Sequence, residues 1–159
     1  MGTATQVSVE EYLRPSYDPD RDYIEGVVEE RNLGDQEHSL LQSLITHWFW
    51  LRGRELELRP LTEQRLKVAE RRYRVPDICV VRGPRPDQRI LSEPPYICIE
   101  ILSAEDRLSR MQARADDYIA MGVPNIWIID PEDKRTWTAD AGGIHDAKDR
   151  VLRTGDGLL

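Results

Sequence analysis

Residues 96–130 read YICIEILSAEDRLSRMQARADDYIAMGVPNIWIID, and the pattern within them predicts the fold class. Tyr96 to Leu102 is an apolar run typical of a buried strand. Asp106 to Met121 carries apolar side chains at helical spacing, and the Gly-Val-Pro that follows ends this helix. Asn125 to Asp130 is a second apolar strand. A strand, a helix and a strand in this order predict a crossover unit with two parallel strands.

The segments around this unit predict further strands joined by short links. Ser8 and Glu11 form a capping box that starts a short helix, and residues 22–31 are interpreted as a short hairpin or a bulged strand around a glycine. A long helix is expected to begin at Asp35 and to end at Gly53. Strands are expected at 55–59, 64–68, 77–81 and 136–139. Short links favour antiparallel pairing, so we expect an α/β fold of the α+β type, with a central mixed β-sheet flanked by helices and an N-terminal helix and hairpin.

The composition is that of a globular protein. The chain has 159 residues, of which 40% are hydrophobic and 32% charged, and we expect a single domain spanning 1–159. The sequence holds no apolar run near the ~20 residues of a membrane-spanning helix. Its N-terminus lacks the basic and apolar segments of a secretory signal, so we expect a cytoplasmic protein without membrane contact. Cys79 and Cys98 stand in separate apolar runs and are interpreted as buried hydrophobes rather than zinc ligands.

The charge is unevenly distributed along the chain. A net charge of −7 argues against strong indiscriminate binding to nucleic acid. Residues 52–74 nevertheless hold eight basic and four acidic side chains. Such a basic block can contact phosphates, and Lys67 within it is a candidate substrate-binding residue. The alternative, a solvated hairpin, stays open.

Glu100 is the most informative residue of the chain. Alternation along its strand places Cys98, Glu100 and Leu102 on one face. An ionised carboxylate in an apolar strand is costly unless a metal ion or a basic partner meets it, so Glu100 is a candidate site residue. Asp77 opens another apolar strand, although Pro-Asp alone is a common turn dipeptide. If the two strands are neighbours, the two carboxylates converge in a way that suits magnesium.

Several stretches together carry a likeness to a known family. They are Tyr23–Val28, His38, Arg74–Asp77, Ile99–Arg107, Tyr118, Gly122–Pro124 and Trp127–Pro131. With these motifs the chain resembles the Uma-type family of restriction-endonuclease-like proteins, within the PD-(D/E)xK nuclease superfamily. The resemblance covers about residues 5–140, and the set is specific although each piece alone is weak. It implies a restriction-endonuclease-like core.

The resemblance also implies a metal site and a basic catalytic residue. Asp77 and Glu100 are implied as ligands of Mg²⁺ or Mn²⁺, and a lysine is implied on the following helix. That position here holds Arg114, and Leu102 stands where the strand of the superfamily carries a lysine. Arginine stays protonated and cannot act as a general base, yet it can bind a phosphate and stabilise transition-state charge. The alternative is a plain salt bridge between Arg114 and Glu100 without a metal.

Two further residues are candidates for binding the substrate. His38 lies near the start of the long helix, where the family tends to place a histidine. It would hold substrate or orient a water, although a histidine at a helix start also serves structure. Asp22, on the early hairpin, matches a position where the family usually has glutamate, and it is a candidate additional acidic residue.

Three functions of different classes follow. The first is a metal-dependent endonuclease that hydrolyses phosphodiester bonds, with DNA as the expected substrate. The second is a degenerate relative that binds nucleic acid or a protein without cutting, because the lysine is missing. The third is a structural protein in which Glu100 and Arg114 only hold the fold together. The basic block favours the first two, whereas the net charge and Arg114 favour the last two.

A homodimer is the expected assembly. Trp48-Phe49-Trp50 at one end of the long helix suggests a self-contact, and twofold dimers are the commonest oligomers. Two sites would also suit a duplex with two strands. The chain stops at Leu159, where relatives often continue, so a longer natural chain is expected.

Overall fold

The computed structural model describes residues 6–32, 34–104, 106 and 108–159. The helices are α1 (Val9–Leu13), α2 (Gln36–Leu56) and α3 (Leu108–Met121). The strands are β1 (Asp22–Ile24), β2 (Val27–Glu29), β3 (Leu58–Thr62), β4 (Leu66–Ala69), β5 (Arg72–Arg74), β6 (Ile78–Arg82), β7 (Ile97–Ile101), β8 (Asn125–Ile129), β9 (Thr136–Asp140) and β10 (Gly143–Asp146).

The mixed sheet that the crossover unit predicts is present. It has six described strands in the order β10-β9-β8-β7-β6-β3. β7 and β8 are parallel and α3 connects them, whereas the other neighbouring pairs are antiparallel. The start expected for α3, at Asp106, adjoins position 107, which lies outside the described residues, so the helix is described from Leu108.

The N-terminal hairpin belongs to a second sheet, which the sequence did not predict. The described strands of this antiparallel sheet run β2-β1-β5-β4. β5 lies inside the basic block, where arginines flank Tyr73 and hide its apolar pattern. β10 was missed for a similar reason, because Gly143 to Asp146 holds a single large apolar residue.

The first long helix ends later than expected. Asp35 caps its start as predicted, and its side chain accepts a hydrogen bond from the His38 amide at 2.9 Å. The helix then passes through Gly53 and ends at Leu56, where Glu57 adopts a left-handed conformation. Gly53 is required for close packing rather than for termination, because a Cβ there would lie 2.1 Å from the carbonyl oxygen of Leu58.

The strand after this helix starts later than predicted because the helix is longer than predicted. The helix occupies the residues up to Leu56, so β3 starts at Leu58 instead of position 55. Pro60, expected to break the strand, lies within it. The strand tolerates proline because β3 is the edge strand of its sheet, where a missing N–H costs no ladder hydrogen bond.

Two apolar layers cover the two faces of the mixed sheet. On one face, Phe49 of α2 packs against Ile97, Ile99 and other side chains of β7 and its neighbours. On the other face, Tyr118 of α3 packs against Cys98 and its surroundings. Both cysteines are buried hydrophobes, as expected, and burial raises the pKa of the Cys79 thiol to about 12. Within the described ranges, no helix has the length and apolar content to cross a membrane.

Candidate active site

A small polar pocket lies where β6 and β7 meet the first turns of α2 and α3. Its volume is about 30 Å³, enough for a water molecule or an ion but not for a nucleotide. The ionisable side chains that line it are Asp77, Glu100, Asp106, Arg31, Arg110, Arg114 and His38. The three carboxylates and the three arginines cancel in formal charge when the histidine is neutral.

Asp77 is held by three groups at the start of β6. Its carboxylate accepts a hydrogen bond from Arg31 at 2.5 Å and one from the backbone N–H of Ile101 at 2.7 Å. His38 Nε2 lies 3.3 Å from the same carboxylate. Burial raises the pKa of Asp77, but the hydrogen bond from His38 and the charge of Arg31 outweigh it, so the pKa lies below its usual value. Asp77 is therefore ionised at neutral pH.

Glu100 reaches the pocket from the neighbouring strand. Ile101, whose amide binds Asp77, follows Glu100 directly in β7, so the two carboxylates converge as the sequence pattern predicted. Oε1 of Glu100 accepts hydrogen bonds from Arg114 Nε at 2.9 Å and from the Tyr118 hydroxyl. Burial raises the pKa of Glu100, and the nearby Arg114 opposes this shift without cancelling it.

Arg114, at the position where the resemblance implies a lysine, is fully engaged by protein groups. Besides Glu100, it donates to the carboxylate of Asp22, to the carbonyl of Val75 at 2.8 Å and to the Tyr118 hydroxyl at 3.2 Å. Burial lowers the pKa of Arg114, but Asp22 and Glu100 raise it more strongly, so the group stays charged. Its N–H groups point at these partners, and the side chain acts as an internal counter-ion.

Of the other predicted site residues, His38 lines the pocket and Asp22 and Lys67 do not. His38 lines the pocket and contacts Asp77, which raises the pKa of the imidazole despite its partial burial. Asp22 lies behind the pocket, where it binds Arg74 as well as Arg114. Lys67 is remote from it, on β4, with its ammonium group 3.3 Å from Glu70.

Three of the eight basic residues of the basic block form internal ion pairs in this structure. Arg72 and Arg74 both donate to Asp117 of α3, at distances of 2.6 to 3.1 Å. Arg65 is paired with Asp20. Acidic partners from distant segments neutralise these three arginines, whereas Arg52, Arg54, Arg59 and Arg71 of the same block are exposed.

Sequence reasoning missed three charged residues of the pocket. Arg31 follows β2 and pairs with a partner 46 positions away, so no local pattern indicates it. Arg110 donates to the Asn32 side chain at 3.2 Å and to the Glu30 carbonyl at 3.1 Å. Asp106 accepts from Ser103 and from Asn32 at 2.7 Å. The Ser-x-x-Asp spacing after β7 was the one local signal for such a residue.

The donor set fits a divalent cation in kind. Carboxylates are the ligands that Mg²⁺ prefers, and it commonly uses one or two of them with waters and substrate oxygens. The hydrogen bonds between described residues engage Oε1 of Glu100 and not its Oε2, and the residue lines the pocket. Arg31 competes for Asp77, and the described residues contain no cluster of three or more potential metal ligands. A metal would be held by Asp77 and Glu100.

Comparison with known proteins identifies the family. A family model described as Uma2, putative restriction endonuclease, matches residues 9–145. The crystal structure of a putative nuclease belonging to DUF820 from Anabaena variabilis is 24% identical, with a TM-score of 0.73 over 83% of this chain and 78% of that chain. A complex of DrdV with DNA is 18% identical, with a TM-score of 0.44 over 70% of this chain and 10% of that one. No curated protein matches.

The family match and the structural likeness agree with the fold expected from the strand-helix-strand unit. The matched residues contain the pocket and its two converging carboxylates, Asp77 and Glu100. The likeness to the Anabaena structure shows a shared fold. The chain belongs to the Uma2 family of putative restriction endonucleases.

Proposed function

We propose that this chain is a divalent-metal-dependent endonuclease that hydrolyses phosphodiester bonds, with DNA as its substrate. The observation that carries the proposal is the convergence in one polar pocket of Asp77 and Glu100, the two residues that the resemblance implies as metal ligands. The metal is Mg²⁺ or Mn²⁺. When bound, it supplies positive charge that polarises a phosphodiester and favours the ionisation of water.

The chain's own residues divide the remaining work. Asp77 and Glu100 bind the cation, and His38, which contacts Asp77, orients the water at the pocket. Arg110 is exposed at the mouth and is the arginine best placed to bind a phosphate of the backbone. Arg114 positions Glu100, since its donors already serve protein acceptors. Asp22 in turn holds Arg114.

A second function is favoured by the charges of the same pocket. Its carboxylates are already balanced by arginines, Arg114 cannot accept a proton, and no lysine lines the pocket among the described residues. A pocket of this kind would suit a protein that binds nucleic acid without cutting it. The two proposals share the fold and the partner and differ only in metal binding and cleavage.

Calorimetric titration with Mg²⁺ and Mn²⁺, with and without a short DNA duplex, distinguishes the two. The parent protein is compared with Glu100→Gln, which keeps the shape of the side chain, and with Asp140→Asn, which removes an exposed carboxylate on β9 as a matched control. We expect the parent and the control to bind the metal and to cleave the duplex. We expect Glu100→Gln to do neither. If the parent binds the duplex but no metal, the non-cutting function is supported. If the parent binds neither the duplex nor a metal, both proposed functions are overturned.

The proposed assembly is a homodimer, in which two sites address the two strands of a duplex. The single domain and the cytoplasmic location remain predictions from the sequence.

A further inference from the structure

α2 carries an exposed apolar stripe along its whole length. Side chains at helical spacing form this stripe, and their exposed fractions are Leu40 52%, Leu44 56%, Trp48 43% and Leu51 66%. The opposite edge of the helix is buried through Phe49, which is 1% exposed. Large apolar side chains grouped in one patch mark an interaction surface more often than scattered ones do.

Two grooves run beside the stripe, between α2 and the end of β8. One lies along the C-terminal half of the helix, has a volume of about 680 Å³ and is floored by Trp127 and Leu152. The other lies along the N-terminal half, with a volume of about 420 Å³. Leu44 and Ile129 line both grooves, so the two form a continuous trough. Together the grooves lie beside α2 from Glu37 to Leu56, roughly 29 Å at 1.5 Å per residue, which matches a second helix of the same length.

The charges at the two ends of the stripe are complementary. Glu37 stands at the N-terminal end, beside Lys134 and Arg150 across the groove. Arg52 and Glu55 stand at the C-terminal end. Each end of the stripe therefore carries both acidic and basic side chains. When the stripe is turned end to end, the acidic Glu37 takes the place of the basic Arg52. An antiparallel copy of the same surface would match them.

We propose that the stripe on α2 binds the stripe of a second copy of this chain, with the two helices antiparallel about a twofold axis near residues 44 and 45. In this arrangement Glu37 faces the partner's Arg52, and Leu40 faces the partner's Trp48. Each contact occurs twice because the interface is self-complementary. The inference gives the proposed homodimer its interface and does not depend on metal binding or cleavage.

Charge reversal tests this arrangement because the two charged groups cannot meet within one copy. Glu37 and Arg52 are separated by roughly 22 Å along the helix, at 1.5 Å per residue. Any coupling between them must therefore act between copies. Both side chains are exposed, so substitutions at these positions should leave the fold intact.

The experiment measures molar mass by light scattering as a function of concentration. We expect the parent to have twice the 18.4 kDa of the single chain at tens of micromolar. Glu37→Arg and Arg52→Glu, made singly, place like charges together and should each weaken dimerisation at least about tenfold. The double variant, Glu37→Arg with Arg52→Glu, should restore the parent's dimer. Leu44→Arg, at the centre of the stripe, should give a monomer.

The outcomes are decisive in both directions. Rescue by the double variant supports the antiparallel pairing of α2. A monomeric parent overturns the proposal, and so does a dimer that the single reversals or Leu44→Arg leave unchanged. Circular dichroism spectra that match those of the parent confirm that each variant is folded. Because only mass is measured, failure here leaves the metal titration unaffected.

Discussion

The site residues are defined by their counter-charges as much as by their own chemistry. Asp77 and Glu100 each face a guanidinium group, from Arg31 and Arg114 respectively. The two arginines differ in what else holds them. Arg114 binds four protein groups, whereas the second carboxylate near Arg31 is the exposed Glu63 at 3.8 Å. If a cation binds at Asp77 as proposed, Arg31 is therefore the group that we expect it to displace.

Replacing Arg31 should tighten metal binding. Arg31→Gln removes a positive charge within hydrogen-bond distance of Asp77, and a cation at that carboxylate then meets less repulsion. We expect the Kd for Mn²⁺ measured by calorimetry to fall by about tenfold, which corresponds to about 1.4 kcal/mol.

The matched control for this change is Arg31→Lys, which keeps the charge and should bind Mn²⁺ like the parent. An Arg31→Gln variant that binds Mn²⁺ no more tightly than the parent would show that Arg31 and the metal do not compete at Asp77.

At the level of elements, α2 joins the pocket to the rest of the fold. Its first turn supplies His38 to the pocket, and Gln42 donates to the carbonyl of Asp77 at 2.9 Å. Its last turns pack against β3, which they approach closely at Gly53. The position of the helix therefore depends on one small residue near its C-terminal end.

Substituting Gly53 should destabilise the protein despite the better helix propensity of alanine. Alanine gains roughly 1 kcal/mol over glycine within a helix. The new methyl group would lie 2.1 Å from the Leu58 carbonyl oxygen, which is backbone and cannot simply rotate away. Overpacking of this kind costs about 1 to 3 kcal/mol, so the net effect of Gly53→Ala is a loss of unfolding free energy in urea denaturation.

Ser43→Ala, at an exposed position of the same helix, is the control and should change the unfolding free energy by less than about 0.5 kcal/mol. If Gly53→Ala is as stable as this control or more stable, the close approach to Leu58 does not determine where α2 lies.

Across the whole molecule, a buried ionic network connects the two sheets. Asp22 of β1 binds Arg74 of β5 within one sheet and Arg114 of α3. Arg114 then binds Glu100 of β7 in the other sheet. Asp117, also on α3, holds Arg74 from the same side at 2.6 Å. The pocket thus lies beside the ion pairs that connect the two sheets, so this connection does not depend on apolar packing alone.

Removing the central cation of this network should destabilise the fold strongly. Arg114→Met leaves Glu100 buried without its counter-ion and leaves Asp22 with Arg74 alone, and breaking a buried pair in this way costs about 3 to 5 kcal/mol. Equilibrium denaturation at pH 7 measures the loss. A loss under about 1 kcal/mol would contradict the structural role of Arg114.

The loss should depend on pH in a defined direction. Burial raises the pKa of Glu100 in the folded protein, so folding favours the protonated side chain, and this contribution to stability is complete below the ordinary glutamate pKa of 4.5. That contribution disappears as the pH rises through the folded-state pKa. The deficit of Arg114→Met should therefore shrink as the pH falls from 7 towards 4.5, whereas a deficit independent of pH would assign the loss to packing.

Much of the fold follows from local pattern. The apolar runs on either side of α3 predict the parallel pair, because a strand, a helix and a strand can join one sheet only through a crossover. The capping box at Ser8 and Glu11 and the cap at Asp35 are confirmed because each depends on residues three positions apart. The end of α2 was predicted wrongly, since the role of Gly53 depends on a contact with another element.

The candidate site likewise combines residues that the sequence predicted with residues that only the structure revealed. The family resemblance implied Asp77 and Glu100 as a pair, and the sequence pattern predicted that they would converge if their strands were neighbours, as β6 and β7 are. Only the tertiary structure determined which cations neutralise them. Arg31 lies 46 positions from Asp77, and Arg114 lies 92 positions from Asp22. An ion pair requires proximity in space and no particular spacing in sequence, so its partners become known only when the chain has folded.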